Sequence, residues 1–141
     1  MRYTDKGVRE LCHGVKERDQ IAIMEMAEYF INLNIINANS ILIPAPQHEG
    51  YAIYTKQIAE IIERETKAKV CDVLKCKPHE TLYKQKLNGR VLIPQLYITE
   101  EIVTQDDLFF LDNVIDTGIT YNTANKLFDW KLKPLIYATV R

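Results

Sequence analysis

The chain has 141 residues, a length that suits one domain with a buried core. Hydrophobic residues make up 47% and charged residues 26%, which excludes a disordered chain, and the formal net charge of -1 gives no electrostatic reason to expect direct binding to nucleic acid or to an anionic membrane. The cysteines Cys12, Cys71 and Cys76 lack metal-ligand spacing, so we expect reduced thiols in a cytoplasmic protein. The N-terminus lacks a signal-peptide pattern and no stretch approaches the length of a membrane span, so we expect no membrane association.

The first half of the chain alternates helical and apolar patterns. Periodic apolar residues predict a helix over 15–34, and the wholly apolar run 41–43 predicts a strand buried on both faces, which Pro44 stops. A second helix is predicted over 50–66 and a second strand over 69–74. This order is typical of the βαβ unit of a parallel sheet.

The segment 75–107 has a different character, because prolines, a glycine and several basic residues interrupt it. We expect a partly ordered hairpin or flap here. Its cluster of Lys84, Lys86 and Arg90 could close over a bound phosphate, or it could be a solvated surface; both interpretations stay open, and solvation is the simpler one.

The last third of the chain returns to the alternating pattern. A third buried strand is predicted over 108–111, a helix over 118–130 and a last strand over 135–138. Strands alternating with helices predict an α/β fold with a central, mostly parallel sheet flanked by helices, within a single domain over 1–141.

Polar residues at the end of the third strand form the first candidate site. The strand delivers Asp112 and Asn113 to the carboxyl edge of the sheet, where open α/β sheets bind ligands, and Asp116-Thr117-Gly118-Ile119-Thr120 follows. Two hydroxyls, a glycine and a helix start suit a phosphate. The glycine spacings of a Walker loop and of a dinucleotide fingerprint are both missing. A plain strand–turn–helix connection capped by Asp116 or Thr117 uses the same residue types and stays open at this point.

The segment 111–120 resembles the ribose-phosphate signature of type I phosphoribosyltransferases. In that signature an apolar strand leads into two acidic residues, two apolar residues and a Thr/Asp-Thr-Gly-x-Thr turn; here Asn113 replaces the second acidic residue. The resemblance implies that Asp112 holds a ribose hydroxyl on the Mg²⁺ side of the site, that Asn113 does so less strongly, and that residues 116–120 cradle the 5-phosphate. Asp116 is similar to the aspartate of purine-salvage transferases, which implies that it handles a proton near the base.

The loop after the first strand is the second candidate site. Ile43-Pro44-Ala45-Pro46-Gln47-His48 resembles the Val-Pro-Val-Pro-x-His of the competence protein F family, and Tyr3 with 7–11 and 15–16 resembles that family's N-terminal segment. This resemblance covers nearly the whole chain. It implies that Ala45, Pro46, Gln47 and His48 wrap a pyrophosphate with backbone N–H groups.

Two departures from the competence protein F pattern bear on function. The chain lacks that family's N-terminal cysteine-rich zinc module, and it lacks the arginines that usually follow the histidine. Lys56 is the one formal cation over 44–63, which weakens the case for pyrophosphate binding.

The resemblance implies a type I phosphoribosyltransferase fold with a small N-terminal hood within 1–36, unless a partner subunit of a homodimer supplies the hood. The implied reaction transfers the phosphoribosyl group of phosphoribosyl pyrophosphate to a nitrogen acceptor and releases pyrophosphate, with Mg²⁺ as cofactor and with Asp112 and Asp116 as catalytic residues. Two alternatives stay open: a non-catalytic nucleotide-sensing or DNA-uptake accessory protein that retains the fold, and an interaction module whose site has decayed.

Overall fold

A four-stranded parallel sheet with the order β2-β1-β5-β6 lies at the centre of the protein. The computed structural model describes residues 1–89 and 93–140. The strands are β1 (Ser40–Pro44), β2 (Lys69–Val70), β3 (Leu74–Cys76), β4 (Leu96–Ile98), β5 (Asp107–Ile115) and β6 (Leu132–Thr139). The helices are α1 (Lys6–Lys16), α2 (Gln20–Asn32), α3 (Tyr54–Thr66), α4 (Leu82–Leu87) and α5 (Ile119–Leu127).

The pairing of β1 with β5 confirms the predicted parallel arrangement of the two apolar strands. Ile41 is opposite Leu108 and Ile43 is opposite Phe110. An α/β architecture with helices flanking a parallel sheet therefore agrees with the prediction from the alternating pattern.

Both faces of the sheet are buried, as the wholly apolar strands predict. Side chains of a strand point alternately to opposite faces. Leu42 and Phe109 pack with α1, α2 and α3 in one apolar cluster, whereas Ile43 and Phe110 pack with α5 and the two-stranded sheet of β3 and β4 in the other. Burial on both sides fixes the register, because a slip of one residue would exchange the two sets.

The helix predicted over 15–34 is confirmed only in part: α1 ends at Lys16, and α2 covers Gln20–Asn32. Arg18 adopts a left-handed conformation with φ 65° and breaks the helical path. The Asp19 carboxylate then caps α2 by accepting a hydrogen bond from the N–H of Ile21 at 2.9 Å. Gly14 permits the close packing of α1 on α2, since a Cβ at that position would lie 2.9 Å from the Cβ of Ala22.

The strand predicted over 69–74 is also wrong as a single element. β2 pairs with β1 in the parallel sheet, whereas β3 pairs antiparallel with β4 in a separate two-stranded sheet. The segment predicted as a hairpin or flap contains α4 and β4. Of its basic cluster, Arg90 and the side chain of Lys86 lie outside the described residues.

Other boundaries move by a few residues. The second predicted helix begins at Tyr54 rather than at position 50, and α5 ends at Leu127, just before Asp129 and Trp130 adopt left-handed conformations. β5 continues to Ile115, four residues past the predicted end, so the polar pair after Leu111 belongs to the strand. Within the described residues no helix is both long and apolar enough to cross a membrane.

Candidate functional site

The candidate site lies where the chain changes direction across the sheet. From β1 the chain passes through α3 to β2 on one side, and it later places β5 on the other side of β1. The loops after such neighbouring strands diverge and leave a crevice at their carboxyl ends, which is where open α/β sheets bind ligands. β1 ends at Pro44, opposite Leu111, whereas β5 continues to Ile115 along β6 alone. The last four residues of β5 therefore form one wall of the crevice.

A cavity of about 420 Å³ occupies this crevice. It brings together residues from the two predicted loops that lie some seventy positions apart along the chain. The predicted site residues that line it are Pro46, Gln47, His48, Asp112, Asn113, Asp116, Thr117, Gly118, Ile119 and Thr120. Ala45 is the exception, since it is buried and its N–H donates a hydrogen bond to the carbonyl oxygen of Leu111 at 2.9 Å.

The turn at 116–120 has the features of an anion site. Gly118 adopts φ 81° at the N-terminal cap of α5, a conformation that favours glycine. The hydroxyl of Thr117 accepts a hydrogen bond from the N–H of Ile119 at 3.3 Å, which shapes the turn. The first turn of a helix leaves N–H groups without intrahelical partners and carries the positive end of the helix dipole. This end of the cavity can therefore bind a phosphate.

Asp112 lies on the cavity wall with a partly exposed side chain. Burial raises the pKa of its carboxyl group from 3.8 to about 7, against the opposing effects of a hydrogen bond from the N–H of Asn113 and of the nearby Lys16 charge. That hydrogen bond joins the Asn113 nitrogen to Asp112 Oδ1 at 2.8 Å. Near neutral pH this group can accept a hydrogen bond when ionised and donate one when protonated.

Asn113 is more deeply buried than its neighbour, since the residue is only 4% exposed. Its Oδ1 accepts hydrogen bonds from the N–H of Val114 at 2.9 Å and from the hydroxyl of Tyr54 at 3.4 Å. Burial, followed by the charge of Asp112, raises the pKa of the Tyr54 hydroxyl, which keeps it protonated as a donor. Since a backbone N–H can only donate, the atom facing Val114 must be the carboxamide oxygen.

The loop after β1 is folded by its own hydrogen bonds. The N–H of Gln47 donates to the carbonyl oxygen of Tyr51 at 3.0 Å, and Gln47 Nε2 donates to the carbonyl oxygen of Ala45 at 2.9 Å. Gln47 Oε1 accepts a hydrogen bond from the N–H of Ile53. Of the four residues predicted to offer backbone donors, Ala45 and Gln47 thus use their N–H groups internally, and Pro46 has none. Only the His48 N–H lacks a partner within the described part of the chain.

All three histidines of the chain line this cavity, a feature that sequence reasoning missed for His13 and His79. His48 Nε2 lies 3.2 Å from Glu49 Oε1, and His13 Nε2 lies 2.7 Å from the Tyr3 hydroxyl. His79 Nδ1 lies 2.6 Å from the carbonyl oxygen of Glu80. Three imidazole rings, each able to donate or accept a hydrogen bond, therefore line one cavity.

α1 contributes the remaining wall of the cavity. Cys12, His13 and Lys16 lie at helical spacing on one face and line it. This face follows from the helical period, but the prediction began its first helix at position 15 and so did not detect it.

Comparisons with known proteins do not show a family for this chain, so the function is argued from the geometry of the site. No protein-family model matches the chain, and no curated protein matches it. Within residues 1–89 and 93–140, no three or more His, Cys, Asp or Glu side chains are grouped so that they could hold a metal ion.

Proposed function

We propose that this cavity binds a ribose 5-phosphate group and that the protein is a phosphoribosyltransferase with a type I fold. One observation carries the proposal: Asp112, the turn at 116–120 and the loop at 46–48 line a single cavity at the carboxyl edge of the sheet. A plain strand-to-helix connection would explain the turn, but it would give no reason for a carboxylate and a second polar loop to converge on the same cavity.

In the proposed reaction an acceptor nitrogen bonds to C1 of the ribose while the bond from C1 to the pyrophosphate oxygen breaks. Pyrophosphate leaves with the bonding electron pair, and the acceptor's proton passes to the Asp116 carboxylate, the candidate general base. Asp112 accepts a hydrogen bond from a ribose hydroxyl, and the turn at 116–120 holds the 5-phosphate. Catalysis rests on positioning and on electrostatic stabilisation of the positive charge that develops at C1.

The Mg²⁺ that the sequence resemblance implies is poorly matched by the residues of this cavity. Hard cations prefer oxygen ligands with negative charge. Asn113 carries no charge, and its oxygen is engaged by Val114 and Tyr54. The positive charge of Lys16 partly offsets the negative charge of Asp112 and so weakens its attraction for a cation. We therefore assign no step of the reaction to a metal ion.

Calorimetric titration with ribose 5-phosphate tests the proposal, near pH 8, where Asp112 is mostly ionised. We expect binding by the wild type and at least a roughly tenfold loss in Asp112→Asn, equivalent to about 1.4 kcal/mol. Asp107→Asn is the matched control, because Asp107 begins the same strand and its exposed side chain pairs with Lys133 at 2.9 Å outside the cavity. Equal affinity of the wild type and Asp112→Asn would mean that this carboxylate does not hold ribose.

A second candidate function is a nucleotide-sensing or DNA-uptake accessory protein that binds without turnover. The hydrogen bonding of the loop after β1 favours this second function. The N–H groups of Ala45 and Gln47 already donate to other main-chain carbonyl oxygens, so they are not free to bind a pyrophosphate. A pyrophosphate-release assay with candidate bases separates the two functions. Release of pyrophosphate supports the transferase, whereas ribose 5-phosphate binding without release supports the accessory protein.

A further inference from the structure

We infer that this cavity binds a ribose monophosphate without a divalent cation, with Lys16 supplying positive charge beside Asp112 and Asn113 Nδ2 donating to a ligand oxygen. The inference rests on the proposed function, because it concerns the same cavity. It narrows the ligand class to a sugar phosphate or nucleoside 5′-monophosphate recognised directly by side chains of the protein.

The orientation of the Asn113 side chain is the first argument. Its oxygen is committed to the N–H of Val114 and the hydroxyl of Tyr54, and its Nδ2 has no hydrogen-bond partner in the described part of the chain. Among the described residues, the fully buried side-chain atom without a hydrogen-bond partner is Gln57 Oε1, so the unpaired Nδ2 of Asn113 keeps some exposed surface. Asn113 lines the cavity, where a ligand can reach this atom. An amide donor that is almost buried and has no partner lowers the stability of the fold unless an acceptor takes its hydrogen bond. A ligand hydroxyl or phosphate oxygen is a suitable acceptor.

The charge near Asp112 is the second argument. Lys16 projects from α1 into the lining of the cavity, and its ammonium charge stabilises the ionised form of Asp112. A carboxylate with an ammonium group nearby attracts a divalent cation more weakly than two carboxylates do. The same ammonium group lines the cavity that the ligand enters, so it adds to the positive potential that an anionic ligand meets there.

Asn113 and Lys16 shift the charge at the ribose end of the cavity in the same direction. A carboxamide in place of a carboxylate removes one negative charge but keeps the shape, and Lys16 adds one positive charge. Together they make the ribose end of the cavity two charge units more positive than two bare carboxylates would be. That balance suits a dianionic monophosphate and disfavours Mg²⁺.

The test is calorimetric titration of the full chain with ribose 5-phosphate near pH 8, once with millimolar Mg²⁺ and once with EDTA. We expect the wild-type affinity to agree within about twofold between the two buffers and Lys16→Met to lose at least about tenfold in both. Lys6→Met is the matched control, since Lys6 is exposed at the start of the same helix and does not line the cavity. We expect it to bind as the wild type does.

Asn113→Asp provides an independent arm. It restores the acidic pair, so we expect its affinity to fall in EDTA and to recover with Mg²⁺, which the wild type should not show. Loss of wild-type binding in EDTA, or Lys16→Met binding as tightly as the wild type, would overturn the inference while leaving the proposed function intact. Absence of binding by the wild type in both buffers would overturn the proposed function and this inference with it.

Discussion

The main-chain N–H of His79 donates a hydrogen bond to the main-chain carbonyl oxygen of His48 at 2.9 Å. This bond joins the segment before α4 to the loop after β1. A second bond, from the N–H of Cys76 to the carbonyl oxygen of Gly50 at 3.0 Å, reinforces the connection. The two histidines therefore lie on adjacent chain segments at the mouth of the same cavity.

Ring resonances of the histidines give a site-specific readout of ligand binding. Because His13, His48 and His79 all line the cavity and are the only three in the chain, ribose 5-phosphate should shift the ring signals of all three in a heteronuclear NMR titration. Single His→Gln variants assign the three signals. Saturating ligand that leaves all three unchanged would show that it binds elsewhere.

The contact between α1 and α2 leads to a stability prediction. A Cβ at Gly14 would lie 2.9 Å from the Cβ of Ala22, so Gly14→Ala should lower the free energy of unfolding by about 1–3 kcal/mol. Gly7→Ala on the same helix meets nothing within 4 Å and should raise that free energy by about 0.5–1 kcal/mol. Urea denaturation of the two variants measures both effects.

A double variant checks the cause of the Gly14 effect. If the cost arises from the collision with Ala22, then Gly14→Ala combined with Ala22→Gly should show favourable coupling, beyond the helix cost of the new glycine. Additive effects of the two substitutions would place the strain elsewhere.

The raised pKa of Asp112 makes stability depend on pH. The folded protein keeps a proton on this carboxyl group up to about pH 7, whereas the unfolded chain releases it near 3.8. Unfolding therefore releases a proton in this window, and the Asp112 contribution to the free energy of unfolding becomes less favourable as pH rises from about 4 to 7. Asp112→Asn lacks this loss, so at about pH 8 it should be more stable than the wild type by up to about 4 kcal/mol, since a pKa difference of one corresponds to about 1.4 kcal/mol.

Denaturation at about pH 4 and about pH 8 measures this difference, with Asp107→Asn as the exposed control. A wild type and an Asp112→Asn variant whose stabilities change in parallel with pH would contradict it. The expected gain in stability, together with the expected loss of ligand affinity, would mark Asp112 as a residue kept for binding rather than for folding.

The sheet was the most predictable part of the molecule. The runs 41–43 and 108–111 are apolar at every position, which is typical of a strand that is buried on both faces of a sheet. The structure pairs these two strands in parallel. The break between α1 and α2 was not predictable from periodicity, because it depends on a left-handed Arg18, and no glycine marks that position.

The part of the site in which polar residues directly follow a strand was predictable from the sequence. The part that other elements contribute through tertiary packing was not. Asp112 and the turn at 116–120 could be identified from their order along the chain. The helical period gives the face of α1 that carries Lys16, but not the packing that turns this face toward the cavity. His79 reaches the cavity through the packing of the segment before α4, which no local pattern encodes. The Asn113 oxygen accepts one hydrogen bond from the adjacent Val114 N–H and a second from the hydroxyl of Tyr54, fifty-nine residues away along the chain, which the sequence does not indicate.

A crystal structure of the full chain grown with ribose 5-phosphate tests the central claim most directly. We predict density for the phosphate at the turn 116–120, within hydrogen-bond distance of its N–H and hydroxyl groups, and a ribose hydroxyl in contact with Asp112. A crystal in which this turn is empty while the ligand is bound elsewhere would contradict the assignment of the cavity as a ribose-phosphate site.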